Sequence, residues 1–486
     1  MAAQAGTAAR GTAALVFSRG CYFLLGYLAV VLLAREFGPT AYGVYGVIMA
    51  ILVWLEESGR YAIPSATAKL LAEAPAGDAE IERSALALNL GLHIFFMLLL
   101  WSLAPWLASW LAIERGAWLM RLAAIDLPLF GLYTAVQAIH QGHGHFGRLG
   151  VSQVAYAFTK FAGVLLLMLV GISLEKALLI NVASTVVGLA LLLPGIGVQW
   201  TGRWYSRVTP LVAVAVPIGL YYFPLLLRSS LLLGTLKILS SESEEAMIGI
   251  LMAALNIARV PAFALATVIV VILPSIARAL ARDNRAAARH YLNQALRFFL
   301  MVFLPACFVL TAEPEWLMQV MYSQNFSGGG LLLSILVVSE GLYTLQAIMG
   351  STLHAAGEMR KTAVVIILAL LPSLIVMVLF IQIGGVVGAA LSSVVTPLFG
   401  ISVFSVTIWR RFATLVQPRT LINLALAGGL MFGVDACLPE TEGWGMLLHG
   451  LGLGVYLIVL VARGELTWRD IAAVVPSPRA QGQPAA

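Results

Sequence analysis

At 486 residues, 60% hydrophobic and only 11% charged, with a mean hydropathy of +0.94, the chain carries more apolar side chain than any soluble core could absorb; soluble domains hold about 25% charged residues. The net charge of +6 does not point to nucleic acid, because the basic residues are scattered between apolar runs and form no aromatic-laced patch. Cys21, Cys307 and Cys437 lie far apart in apolar segments, which excludes a disulfide framework and a cysteine metal cluster. What remains is an all-α polytopic membrane protein, since a β-barrel would need short alternating segments in place of long Leu/Val/Ile/Ala runs.

A span needs about 20 apolar residues. The first run, 12–34, is too long for a signal-peptide core and is read as helix one. The following spans are predicted at 42–70, 84–110, 117–141, 150–172, 177–200, 209–236, 246–277, 294–313, 328–356, 362–383, 385–408, 420–438 and 444–462, fourteen in all. Helices eleven and twelve divide at Gly384–Gly385. The connection "ARALARDNRAAARHYLNQ" (279–296) has one charged and one apolar side and is expected to lie at the headgroups. A small amphipathic piece is expected between Glu313 and Gly330. The tail beyond Leu466 has no packing potential and reads as disordered.

Fourteen spans put both termini on one side. Loops on that side hold eighteen of the 29 basic residues, whereas the opposite loops hold only Arg35, Arg115, Arg121, Lys176 and Lys237. By the positive-inside rule both termini are cytoplasmic.

"GLYT" occurs at Gly131–Thr134 and again at Gly341–Thr344, 210 residues apart, and the Pro64-Ser65 and Pro274-Ser275 pairs share that offset. Each partner runs the same way through the membrane. That is the pattern of two parallel six-helix lobes, with a site expected between them. The expected division is an N-terminal lobe at 1–208, a C-terminal lobe at 209–415, two further helices at 416–464 and a cytoplasmic tail at 465–486.

With these features in place, "LLAREFGPTAYGVYGVIMAI" followed by "IPSATAKLLAE" resembles the polysaccharide transporter branch of the MOP flippase superfamily. "ILPSIARALARDNRAAARHYLNQALRFF" and "EWLMQVMYSQNFSGGGLLLSIL" are similar to the same branch's connections into helices nine and ten. The resemblance implies two lobes around a central cavity that opens alternately to either side. It implies a cargo of undecaprenyl-diphosphate-linked oligosaccharide, flipped from the cytoplasmic to the outer leaflet of a bacterial inner membrane for O-antigen, capsule or exopolysaccharide assembly. A polysaccharide polymerase and glycosyltransferases are the implied partners, beside membrane lipids; Wzx-type flippases are the nearest pattern. Lipid II flippases share the superfamily but carry an acidic residue soon after the helix-one arginine, which "SRGCYFLLGYLAVVLLARE" lacks until Glu36. Multidrug or cation antiporters usually have twelve helices.

Charges inside spans need a reason, since each costs at least about 2.5–3.5 kcal/mol at mid-bilayer. In "LVWLEESGRYAIP" (52–64), Glu56 and Glu57 stand at i, i+4 and i, i+3 from Arg60, so either can meet it on one helical face. The pairing either neutralises the cluster or orients Arg60 toward a cavity, leaving one carboxylate over. Guanidinium forks suit diphosphate oxygens, and the resemblance puts helices one, two, seven and eight around the cavity. Arg19, Arg60, Arg228 and Arg259 are therefore the expected substrate-binding residues, with Glu56, Glu57, Asp126 and Glu340 orienting them or coupling transport to Na⁺ or H⁺. Lys160 is divided between cavity and surface, and Arg297 is expected to snorkel to the surface. Asp435 reads as structural.

No metal site or cofactor is expected. His140, His143 and His145 in "HQGHGHFGR" have no carboxylate or cysteine near them in sequence and read as solvated; His93 and His449 read as packed. A membrane glycosyltransferase or ligase is the alternative of another class, but it would need a catalytic outer loop, and the first such loop offers only Arg35 and Glu36.

Overall fold

The computed structural model describes residues 2–74, 78–194, 205, 207–240, 244–437 and 445–466, and among these every regular element is helical. In lipid a backbone amide has no water partner, so apolar runs close their hydrogen bonds within themselves. The helices are α1 (Ala2–Glu73), α2 (Ala79–Trp110), α3 (Gly116–Ala124), α4 (Asp126–Gly142), α5 (Phe146–Val170), α6 (Leu174–Leu192), α7 (Val208–Leu239), α8 (Glu245–Ala258), α9 (Val260–Ala281), α10 (Arg285–Ala312), α11 (Pro314–Tyr322), α12 (Gly330–Ala355), α13 (Met359–Phe412), α14 (Pro418–Ala436) and α15 (Gly445–Ala462).

Ten helical runs among the described residues are long and apolar enough to cross a membrane. Two of them are double. α1 turns at Gly38, whose φ of 67° and ψ of 173° suit glycine and precede Pro39; α13 turns at Gly384–Gly385, with Gly385 at φ 52°. Each of the fourteen expected spans coincides with a helical run, although 195–200 and 438–444 lie outside the described residues, as does the tail from 467.

Two expected spans are broken inside the membrane. Pro128 and Pro261 cannot donate to the carbonyls four residues earlier, and the ladder lapses at Ile125 and at Arg259. The breaks leave Asp126 as the first residue of α4 and Arg259 at the N-cap of α9. The expected surface helix at 279–296 is not formed. α9 runs to Ala281, the chain turns through Asp283 at φ 51°, and α10 restarts with the Asn284 side chain accepting from the Ala287 amide. The amphipathic piece before helix ten is α11, followed by a 3₁₀ turn at Gln324–Phe326.

The chain gathers into two compact units. The first (Met1–Ala254, Met318–Gly329, Met359–Thr396) has an apolar core that joins Ile63, Leu71, Leu86, Phe130, Tyr133, Ile139, Leu192 and Leu211. At one end Gly43 and Gly249 bring α1 and α8 into backbone contact. Beside them Arg35 donates to the Met321 carbonyl at 2.8 Å, closing the end of α11. The arginine of the first outer loop is thus a helix cap. The second unit (Leu255–Leu317, Gly330–Glu358, Pro397–Ala486) centres on Phe308, Leu424, Met431, Tyr456 and Leu460.

The repeat extends into side-chain detail within each unit. A Cβ on Gly131 would stand 2.7 Å from the His93 ring, and one on Gly341 would stand 1.8 Å from the Phe303 ring. His93 and Phe303 are themselves 210 residues apart. Thr134 donates to the Phe130 carbonyl and Thr344 to the Glu340 carbonyl, the same local bond in both copies of "GLYT".

Candidate functional site

The second arm of α1 splits its two adjacent carboxylates. Glu57 accepts a hydrogen bond from Arg60 Nη1 at 3.0 Å, and both side chains keep partial exposure. Glu56, 100° further round the helix, is 4% exposed and turns away from the pair. Of the two carboxylates able to orient Arg60, Glu57 does so and Glu56 is the one left over. Tyr61 lies within electrostatic reach of Arg60, Glu57 and Arg19, so Arg19 and Arg60 share one neighbourhood. The Tyr61 ring stacks on Tyr222 of α7 at 4.4 Å between centroids. Arg19 is exposed and has no carboxylate within 4 Å among the described residues.

Glu56 enters a buried polar cluster shared by four helices. Lys160 Nζ of α5 donates to Asn181 Oδ1 at 2.9 Å, and Asn181 Nδ2 of α6 donates to Asp126 Oδ2 at 2.7 Å. The Glu56 and Asp126 carboxyl groups are near enough to interact electrostatically. Asp126 sits at the N-terminus of α4, where the helix dipole favours a carboxylate. Two oxygens in this cluster, Glu56 Oε1 and Asp126 Oδ1, are buried without a hydrogen-bond partner. Orphan buried acceptors of this kind call for an occupant or a proton. The cluster is confined to the first copy of the repeat: 210 residues on, Asp126 corresponds to Leu336, and the nearby buried Asn89 corresponds to Phe299.

The other arginines divide differently. Arg228 is half-buried on α7, which Ser230 ties to α1 by donating to the Ala50 carbonyl. Arg259, at the break between α8 and α9, faces buried Glu340 with Nε and Oε1 3.8 Å apart. Arg19, Arg60 and Arg228 belong to the first compact unit, and Arg259 and Glu340 to the second. Arg297 is paired at a helix end. Its Nη2 donates to the Glu465 carbonyl at 2.7 Å and its Nε lies 3.6 Å from the Glu465 carboxylate, which also accepts from Asn423 and Thr420. Glu465, at the start of the expected tail, is therefore a buried staple of α10, α14 and the end of α15.

Known proteins match this architecture. The polysaccharide biosynthesis protein family matches residues 8–280, more than half of the chain. The chain belongs to that family. Within the MOP flippase superfamily this is its polysaccharide transporter branch, and the fold agrees. Over 94% of the chain and 99% of the other, it superposes on lipid II flippase MurJ in an inward closed conformation, with a TM-score of 0.76 and 16% identity. An inward-facing MATE multidrug resistance transporter of the MOP superfamily superposes with a TM-score of 0.68 and 15% identity, over 81% of this chain and 96% of that one. Stage V sporulation protein B of Bacillus subtilis (strain 168) is 23% identical over 431 residues, covering 79% of this chain and 80% of that protein.

At the end of α4, His143 and His145 are exposed but hydrogen-bonded, and His140 is buried. His143 Nε2 and Glu82 Oε1 of α2 are 2.6 Å apart, so a carboxylate 61 residues away in sequence supplies the partner that the Gly-rich turn lacks. His140, fully buried, bonds the Leu192 carbonyl through Nε2 at 3.0 Å and meets His145 Nδ1 through Nδ1 at 3.2 Å. A carbonyl only accepts, so the His140 proton sits on Nε2 and His145 donates from Nδ1. Partial burial, then the neighbouring His140, His143 and Arg148, holds the His145 pKa below its ordinary value. His449 is bonded by Asp435 through Nδ1 and lies 3.2 Å from Glu313 Oε1 through Nε2, tying α15 to the ends of α14 and α10. No group of three or more His, Cys, Asp or Glu side chains suited to a metal ion occurs among the described residues.

Proposed function

We propose that this chain flips an undecaprenyl-diphosphate-linked oligosaccharide from the cytoplasmic to the outer leaflet of a bacterial inner membrane, both termini being cytoplasmic. The observation that carries the reading is the Arg19–Arg60 neighbourhood. Glu57 pairs with Arg60 alone, Arg19 has no carboxylate within 4 Å among the described residues, and both guanidiniums keep exposed surface, which leaves a local excess of positive charge inside a membrane-spanning unit. Such a charge is costly in lipid. An anionic headgroup offsets that cost, and the planar forks suit diphosphate oxygens. Arg228, and Arg259 with Glu340, are the further contacts proposed along the transport path.

The buried cluster of Glu56, Asp126, Asn181 and Lys160 supports coupling to a cation gradient. Lys160 already supplies one positive charge against two carboxyl groups, so a proton or one Na⁺ brings the set to neutrality. The lobes proposed for alternating access are 1–208 and 209–415.

The test is complementation and transport. In a strain lacking its oligosaccharide flippase, the chain should restore surface polysaccharide, and Arg60→Ala should abolish the effect. Restoration of growth in a strain lacking its lipid II flippase would transfer the reading to lipid II, a cargo with the same diphosphate. Dye efflux without either activity would make it an antiporter.

A further inference from the structure

We infer that a pocket between the ends of α9, α10 and α13 binds the headgroup of an anionic glycerophospholipid. The pocket encloses about 500 Å³ and is lined by Leu280, Asp283, Arg285, Arg410, Arg411 and Phe412. That volume falls in the ordinary range for small-ligand sites. It lies wholly within the second compact unit, on the membrane face where α9 ends, α10 begins and α13 ends.

Its lining has two characters. Arg285 occupies the first turn of α10, and Arg410 and Arg411 the last turn of α13, so three guanidiniums converge from two helices. The acids near them cancel only part of that charge. Arg411 is held by Glu358 at 2.5 Å, and Arg285 lies 3.9 Å from Asp283, whose side chain is almost fully exposed and therefore screened. Arg410 has no carboxylate within 4 Å among the described residues. The remaining lining, Leu280 and Phe412, is apolar. One turn back along α13, Val406 and Trp409 are more than half exposed on a helix that crosses the membrane. A phosphate seated among the guanidiniums would thus have an apolar track beside it for its acyl chains. A free polyphosphate would use the charge but leave that track idle.

The face is also the right one. It is the side on which eighteen of the 29 basic residues gather, and basic pockets between helix ends on such a face suit anionic headgroups. The site is separate from the Arg19–Arg60 neighbourhood and does not depend on the identity of the cargo.

The experiment uses the full chain purified from vesicles of phosphatidylglycerol and phosphatidylcholine mixed in equal amounts, with retained lipid counted by native mass spectrometry. The wild-type chain should retain phosphatidylglycerol preferentially. Combined Arg285→Ala and Arg410→Ala should lower that preference by about thirtyfold, the effect of two interfacial charges, and Arg410→Gln alone should lower it by about fivefold. Arg115→Ala with Lys176→Ala, on the opposite face, should leave it unchanged. Equal retention of both lipids by the wild-type chain, an unchanged preference in Arg410→Gln, or complete displacement by inorganic pyrophosphate would each overturn the proposal.

Discussion

Glu57 and Arg60 are joined at 3.0 Å on the partly exposed side of α1, whereas Glu56, one residue before Glu57, is buried among three other helices. Neighbouring carboxylates therefore serve two sites. One orients a guanidinium and the other enters a polar cluster in the core. The two should respond separately to substitution.

Arg60→Ala removes the oriented charge, and transport is expected to fall by about a hundredfold, the effect of losing one charge-assisted contact of about 3 kcal/mol. Glu57→Gln keeps a hydrogen-bond acceptor beside Arg60 and should cost less than tenfold. Initial rates of headgroup flipping in proteoliposomes check both. Equal losses in the two variants would mean that the pair acts only as a structural staple.

Lys160→Met removes the ammonium but leaves two carboxyl groups in the core, and Asn181 Oδ1 is left with the 3.5 Å contact from the Tyr156 hydroxyl. Breaking a buried pair in this way costs about 3–5 kcal/mol, and thermal unfolding in detergent should show a correspondingly large loss. Combining it with Asp126→Asn should recover part of the stability, since the substitutions share a network. Additive losses would show that Lys160 and Asp126 are not coupled through Asn181.

Gly249→Ala should be among the least tolerated single-methyl additions. The new Cβ would stand 1.9 Å from the Pro39 carbonyl oxygen, a backbone atom that cannot swing aside. Overpacking of this kind costs about 1–3 kcal/mol or more. Gly91→Ala, which meets nothing within 4 Å, is the matched control. Comparable melting temperatures for the two variants would refute the close approach of α1 and α8.

His145 should make the turn between α4 and α5 sensitive to acid. Its folded-state pKa lies below the ordinary 6.5 because burial and three cationic or ionisable neighbours oppose protonation. As pH falls through about 6.5 the unfolded chain takes up the proton first, and the stability held above that range is lost down to the folded pKa. Hydrogen exchange at residues 143–147 should quicken between about pH 7.5 and about pH 5.5, and His145→Gln should flatten the change. Exchange that slows as pH falls, once corrected for its intrinsic rate, would contradict the sign.

The span pattern was legible because lipid imposes one requirement, a long apolar run, that any window of sequence displays. The turns at Gly38–Pro39 and Gly384–Gly385 were equally local. The breaks at Ile125 and Arg259 were signalled by Pro128 and Pro261, but hydropathy alone passes over a proline within an apolar run. The pairing of Arg60 with a carboxylate followed from helical spacing; which carboxylate it takes depended on Asp126 and Asn181, elements that sequence spacing cannot bring together. Arg297 illustrates the same limit. Its partner Glu465 lies 168 residues away, in what composition marks as the beginning of a tail. Glu82 and His143 were separated likewise, so a partly buried hydrogen-bonded pair read as solvated histidine.

The most direct test of the central claim is flipping of undecaprenyl-diphosphate-linked oligosaccharide by the purified chain in proteoliposomes, comparing wild type with Arg19→Gln combined with Arg60→Gln. Active wild-type flipping, with the double variant folded, membrane-inserted and reduced to background, is the predicted result. Undiminished flipping by that variant would show that these guanidiniums do not receive the diphosphate.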